Sequence, residues 1–142
     1  MRCYRGTINW FSYAVNESCV FAFPGTFDVG QPVYCLWQWT VDATGAKKPN
    51  VFLQGHINTS SVVDGKLNID FHEENYYKFQ AVINADHEAM TVTMRNPKGD
   101  KSKPMALSSV YNDPKSLSKF FIYTGKLNYS TNATNEMISV IM

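Results

Sequence analysis

The sequence predicts an all-β protein: an antiparallel meander that closes into a small, calycin-like β-barrel, with a β-sandwich as the alternative. Three observations lead there. No window of about 12 residues repeats its apolar positions at the helical period. Short segments of alternating polarity follow one another at intervals of about 8–12 residues, with Gly, Pro, Asn and Asp between them. The pattern Gly-x-Ile/Leu-Asn also recurs, at Gly6–Asn9, Gly55–Asn58, Gly65–Asn68 and Gly125–Asn128. A glycine removes the side chain where a strand bends or crosses a neighbour, and such kinks close small barrels. A duplication is the alternative account of the repeats. Short turns favour an up-and-down order over a Greek key. The length fits one domain, residues 1–142.

The elements follow in order. Tyr4–Val15 is the first strand, with Ile8, Trp10 and Ala14 on one side and Phe11 and Tyr13 on the other. Asn16-Glu17-Ser18 reads as a turn, and Cys19–Phe23 as a strand that stops at Pro24-Gly25. Val33–Val41 is apolar on both faces, as a central or barrel strand would be. A hydrophilic loop, Asp42–Asn50, precedes the strand Val51–Thr59. Val63-Asp64-Gly65 turns into the hairpin Gly65–Asp86, where Leu67, Ile69, Phe71, Tyr77, Phe79, Ala81 and Ile83 form the apolar face. Asp86-His87-Glu88 turns into the strand Ala89–Arg95, and Asn96–Lys103 is a polar loop. Met105–Tyr111, Lys119–Tyr129 and Glu136–Met142 supply the last strands, and Asn112–Ser116 is the one candidate helix start.

Composition narrows the function classes. Aromatic residues make up 14% of the chain, and rings both favour strands and line pockets. A net charge of +1 without a basic run gives no nucleic-acid footprint. No apolar stretch approaches the roughly 20 residues that span a bilayer, so no membrane partner is expected. Cys3, Cys19 and Cys35 match no zinc spacing. They read as buried, reduced thiols, with a Cys3–Cys19 or Cys19–Cys35 disulfide as the alternative. MRCYRGTINW lacks the apolar core of a signal peptide, which predicts a cytoplasmic location. Sequons at Asn16, Asn58, Asn128 and Asn132 keep secretion open.

Gly6 followed by Trp10 on the first strand, and then a long meander, resembles the calycins: lipocalins, fatty-acid-binding proteins and avidins. The likeness is one of architecture. Three residues separate Gly6 from Trp10 where lipocalins have one, and no Thr-Asp-Tyr element follows. The resemblance implies a cup-shaped barrel that holds a small, mostly apolar ligand.

The polar face of the hairpin carries the one cluster able to do chemistry. Asp70, His72 and Glu74 share that face, each roughly 6.5–7 Å from the next. Asp70 and His72 are the candidate catalytic pair for proton transfer. Whether His56 faces His72 depends on the turn. Pairing Val62 with Lys66 brings the histidines opposite, whereas a two-residue Asp-Gly turn puts Thr59 opposite Asp70 and sends His56 to the other face. The plain reading of this face is a solvated sheet surface; the alternatives are a ligand face inside the barrel or a metal site. Neither a metal nor a cofactor is expected. Trp37, Trp39, Tyr34, Gln54, His56 and Glu74 are the candidate ligand-binding residues, although Trp37 and Trp39 equally suit a core.

Two functions fit. One is a barrel with an aromatic-lined pocket for a small hydrophobic or aromatic molecule, extending to an acid–base isomerase or cyclase. The other is a non-enzymatic, lectin-like module for a glycan. The first needs Trp37, Trp39 and the polar hairpin face to share a cavity; the second needs exposed aromatics near loops. A second copy of the chain, forming a homodimer, is a further candidate partner.

Overall fold

The computed structural model describes residues 2–11, 13–40, 51–72, 77–111, 122–129 and 133–141. Eight antiparallel strands form a closed barrel in sequence order: β1 (Arg2–Trp10), β2 (Ala14–Phe23), β3 (Pro32–Trp37), β4 (Val51–Val63), β5 (Lys66–His72), β6 (Lys78–Ile83), β7 (Ala89–Arg95) and β8 (Met105–Tyr111). Pairing of β1 with β8 closes the sheet. The meander and its closure are those predicted, and the sandwich alternative is set aside. The strands β9 (Ile122–Tyr129) and β10 (Ala133–Ile141), expected as further strands of the same meander, instead pair with each other in a separate two-stranded sheet. Asn112–Ser116 and the loop Asp42–Asn50 lie outside the described residues.

Gly6 shows why closure needs a glycine. It pairs with Cys19 on one side and Leu107 on the other, and a Cβ there would lie 2.6 Å from the Ala106 carbonyl oxygen. No real Cβ tolerates that approach, so this residue lets β8 reach β1.

Alternation fills the interior. Ile57, Phe71, Phe79 and Met94 pair across β4 to β7 as one inward row and are at most 2% exposed. Phe71 stacks on Phe79 at 5.0 Å and meets Phe21 and Phe23 edge-on, each at 5.8 Å. No buried polar or charged residue occurs among the described residues. Rings, aliphatic chains and thioethers pack this barrel.

Both ends are closed by aromatics. At one, Phe27 packs on Phe23 at 5.1 Å and stacks on His87 at 5.8 Å, with the Arg2 guanidinium 5.3 Å over its ring. Arg2 donates to His87 Nδ1, and the Tyr4 hydroxyl donates to the His87 carbonyl at 3.1 Å. Burial, together with the nearby Arg2 charge, pushes the His87 imidazole down, while burial pushes the Tyr4 phenol up to about 12. At the other end Trp37 meets Tyr77 at 5.7 Å, Trp39 at 5.8 Å and Phe79 at 6.0 Å, and Trp10 meets Tyr77 at 6.4 Å.

Three boundaries differ from expectation, the simplest being β4, which runs on to Val63 beyond the expected end at Thr59. The first strand ends at Trp10 and the second begins at Ala14, so the chain reverses before Asn16-Glu17-Ser18 and not there. Asn16 is held inside β2 at φ 54°, where its N–H donates to Asn9 Oδ1 and the pairing shifts register. A β-bulge has absorbed the turn-forming asparagine. The strand expected over Val33–Val41 ends at Trp37, so Trp39 packs on the core from beyond the strand. None of the three cysteines is in a disulfide and all are buried, and burial raises the Cys3 thiol and takes Cys19 to about 11.

Candidate functional site

The hairpin of β4 and β5 resolves the register question in an unexpected way. Asp64 and Gly65 form a two-residue turn, with Val63 opposite Lys66 and φ values of 50° and 73°. Two positive φ values in succession match a type I′ hairpin turn. Thr59 therefore lies opposite Asp70. Yet His56 still lies opposite His72, their rings 5.1 Å apart, because the register shifts between Ile57 and Thr59. Asn58 is the extra residue of that bulge, and its side-chain amide donates to His72 Nδ1. The two pairings that looked mutually exclusive coexist.

The face these residues occupy is the outer one. Phe71 between Asp70 and His72 points into the core, so the two polar side chains point away from it. The register then builds two outer rows across the sheet. His56, His72, Lys78 and Arg95 pair in sequence, and Lys101 bridges to Arg95. Thr59, Asp70, Gln80 and Thr93 pair in sequence in the second row. The Thr59 hydroxyl donates to Asp70 Oδ2 at 2.9 Å. Between the rows runs the backbone of the inward row Ile57–Phe71–Phe79–Met94.

Apart from His56, these rows line an open groove of about 920 Å³, bounded on one side by Asn58 and Thr59 and on the other by Asn96, Pro97 and Gly99. The far wall is a tightly bonded loop. Asn96 Nδ2 donates to Asp100 Oδ2, the Asp100 N–H donates to Asn96 Oδ1, and Arg95 Nη1 donates to the Gly99 carbonyl, all at 2.9 Å. Ser102 clamps the loop base, donating its N–H to the Met94 carbonyl and accepting the Met94 N–H on its hydroxyl.

The residues expected to share one pocket are thus divided. Asp70 and His72 line the outer groove and His56 sits beside them, whereas Trp37 is buried in the core on the other side of the wall. Tyr34 and Gln54 pair on the outer face of β3 and β4, where Tyr34 stacks on Phe52 at 6.0 Å. Glu74 lies outside the described residues. Among the described residues no three His, Cys, Asp or Glu side chains converge as metal ligands. Lys78, Gln80, Thr93, Arg95 and Lys101 were missed as site residues. For the four on β6 and β7 the signal was alternation opposite the buried Phe79 and Met94, whereas Lys101 lies in the following loop; only the pairing shows that they stand level with Asp70 and His72.

Among the described residues one buried side-chain donor is unanswered. Trp37 Nε1 has no hydrogen-bond partner, within the aromatic end of the barrel. Exposed rings do occur by a loop: Phe11, at φ 50°, is 65% exposed and Tyr13 is 39% exposed in the β1–β2 turn. Comparison with protein-family models, with curated proteins and with solved structures returns no match for this chain. The barrel is the architecture that the calycin resemblance implies, and membership of that family is not shown.

Proposed function

We propose that the chain is a non-enzymatic, lectin-like recognition module that binds a carbohydrate in the groove on the outer face of β4 to β7. The observation that carries this is the Thr59–Asp70–Gln80–Thr93 row, with donors and acceptors spaced one strand apart along a groove of about 920 Å³. Sugar hydroxyls need such alternating polar partners, and a rigid sheet presents them at little entropic cost. The exposed Phe11 and Tyr13 also meet the condition of rings near a loop. The isomerase reading loses support, because Asp70 and His72 lie on the outer face and the described core holds no carboxylate or imidazole. A glycan array tests the proposal. Binding should be confined to a subset of glycans, and Asp70→Ala and Gln80→Ala should each weaken it at least tenfold; silence across the array overturns it.

A second reading has one observation behind it. The unpartnered Trp37 Nε1 would suit an acceptor atom of a small aromatic molecule inserted among Trp10, Trp39 and Tyr77. Native mass spectrometry of the purified protein decides it by revealing a bound molecule or bare chain.

A further inference from the structure

We infer that the groove is built for an anionic carbohydrate, a sulfated or carboxylated oligosaccharide, which lies across the strands along the basic row. This rests on the carbohydrate reading above and specifies its chemistry. Successive strands are about 4.8 Å apart, so the His56–His72–Lys78–Arg95–Lys101 row runs roughly 19 Å in a straight line. Lys78, Arg95 and Lys101 are fixed cations, and Asp70 is the one carboxylate among the described residues lining the groove. Asp100, in the same loop, is engaged with Asn96. The whole chain carries only +1, so this positive charge is a local concentration and not a general property of the surface.

The second row completes the match. Thr59, Gln80 and Thr93 offer uncharged hydrogen-bonding groups one step along each strand pair from the cations. An acidic sugar chain presents the same division, with sulfates or carboxylates interspersed among hydroxyls. Arg95 is already oriented by its bond to the Gly99 carbonyl, which leaves its remaining donors for a planar or tetrahedral anion. Asn58 holds His72 by its Nδ1, leaving Nε2 as the ring nitrogen that is not committed to Asn58. A nucleic acid fits less well. Single strands are held by stacking, and the aromatic residues lining the groove, Phe71 and Phe79, have their rings buried on the core side at 2% and 1% exposure.

The test is surface plasmon resonance with a heparin-type sulfated hexasaccharide and its desulfated counterpart, on the wild type and two variants. The sulfated sugar should bind at least tenfold more tightly than the desulfated one, with affinity falling as salt rises. Lys78→Gln/Lys101→Gln, on exposed side chains with unchanged circular dichroism, should lose that tenfold preference and retain the desulfated affinity. Gln80→Ala should weaken both sugars. Equal binding of the two sugars, insensitive to the lysine changes but sensitive to Gln80→Ala, overturns this inference and leaves the carbohydrate reading standing. Failure of both sugars to bind, together with a silent array, removes both. A single-stranded DNA that competes as well as the sulfated sugar also overturns the inference, by reducing the groove to an unselective polyanion surface.

Discussion

Asp70 and Phe71 are adjacent in sequence and sit on opposite sides of one barrel wall, so substituting each to alanine tests the inside–outside assignment directly. Phe71 is 2% exposed and packs against Phe21, Phe23 and Phe79. Removing such a ring costs about 3–5 kcal/mol in lost transfer energy and cavity formation. In a domain of this size each kcal/mol moves Tm by roughly 3–4 °C, so Phe71→Ala should lower Tm by about 10–20 °C. Asp70→Ala removes one solvent-exposed hydrogen bond, from Thr59. That costs less than about 1 kcal/mol, or roughly 4 °C at most. Ligand binding should show the opposite order: Asp70→Ala loses it, and Phe71→Ala keeps it at temperatures where it remains folded. Thermal melts followed by circular dichroism, paired with calorimetric titration, measure both. If Asp70→Ala lowers Tm as far as Phe71→Ala, Asp70 is not on the outer face and the reasoning fails.

Gly6→Ala should destabilise by roughly 1–3 kcal/mol in denaturant unfolding, because its Cβ meets the Ala106 carbonyl at the barrel closure. Cys3, Cys19 and Cys35 should resist a thiol-directed chromogenic reagent in the native protein and all react in denaturant, since burial blocks access and raises the Cys3 and Cys19 thiols. Tyr4 ionises near pH 10 when unfolded and near 12 when folded, so the folded state holds its proton longer. Its contribution is full below pH 10 and is lost by pH 12, on the order of 2 kcal/mol. Tyr4→Phe should flatten that alkaline decline in urea titrations.

Strand existence was legible because period-two alternation is a local property: each inward residue from Leu67 to Ile83 could be read from its neighbours. The closed meander was legible too, since every connection between barrel strands except the one from β1 to β2 contains Gly, Pro, Asn or Asp. What stayed hidden was anything set by bulges and partners. Asn16 reads as a turn former, and only its bonds to Asn9 show that β2 runs through it. The polar cluster on β5 was found, but its neighbours on β6 and β7 were not, because cross-strand level depends on registers accumulated over several hairpins. Barrel stagger matters here as well: Pro32 at the start of β3 is level with His72 at the end of β5, through His56.

The bulge at Asn58 has a consequence for how the length of this strand can vary. The hairpin turn sets the phase of β4 from below, and the packing of Ile57 against the barrel sets it from above; these two phases are opposite. Asn58 works as a one-residue vernier between them. An insertion or deletion in β4 above this point would turn His56 inward and Ile57 outward, and one below it would do the same to the lower half. Deleting Asn58 itself is the exception, because every remaining pair from His56–His72 to Val63–Lys66 keeps its partner. Lineages of this barrel could therefore gain or lose the residue that grips His72, and with it one wall of the groove, without disturbing the register of the fold.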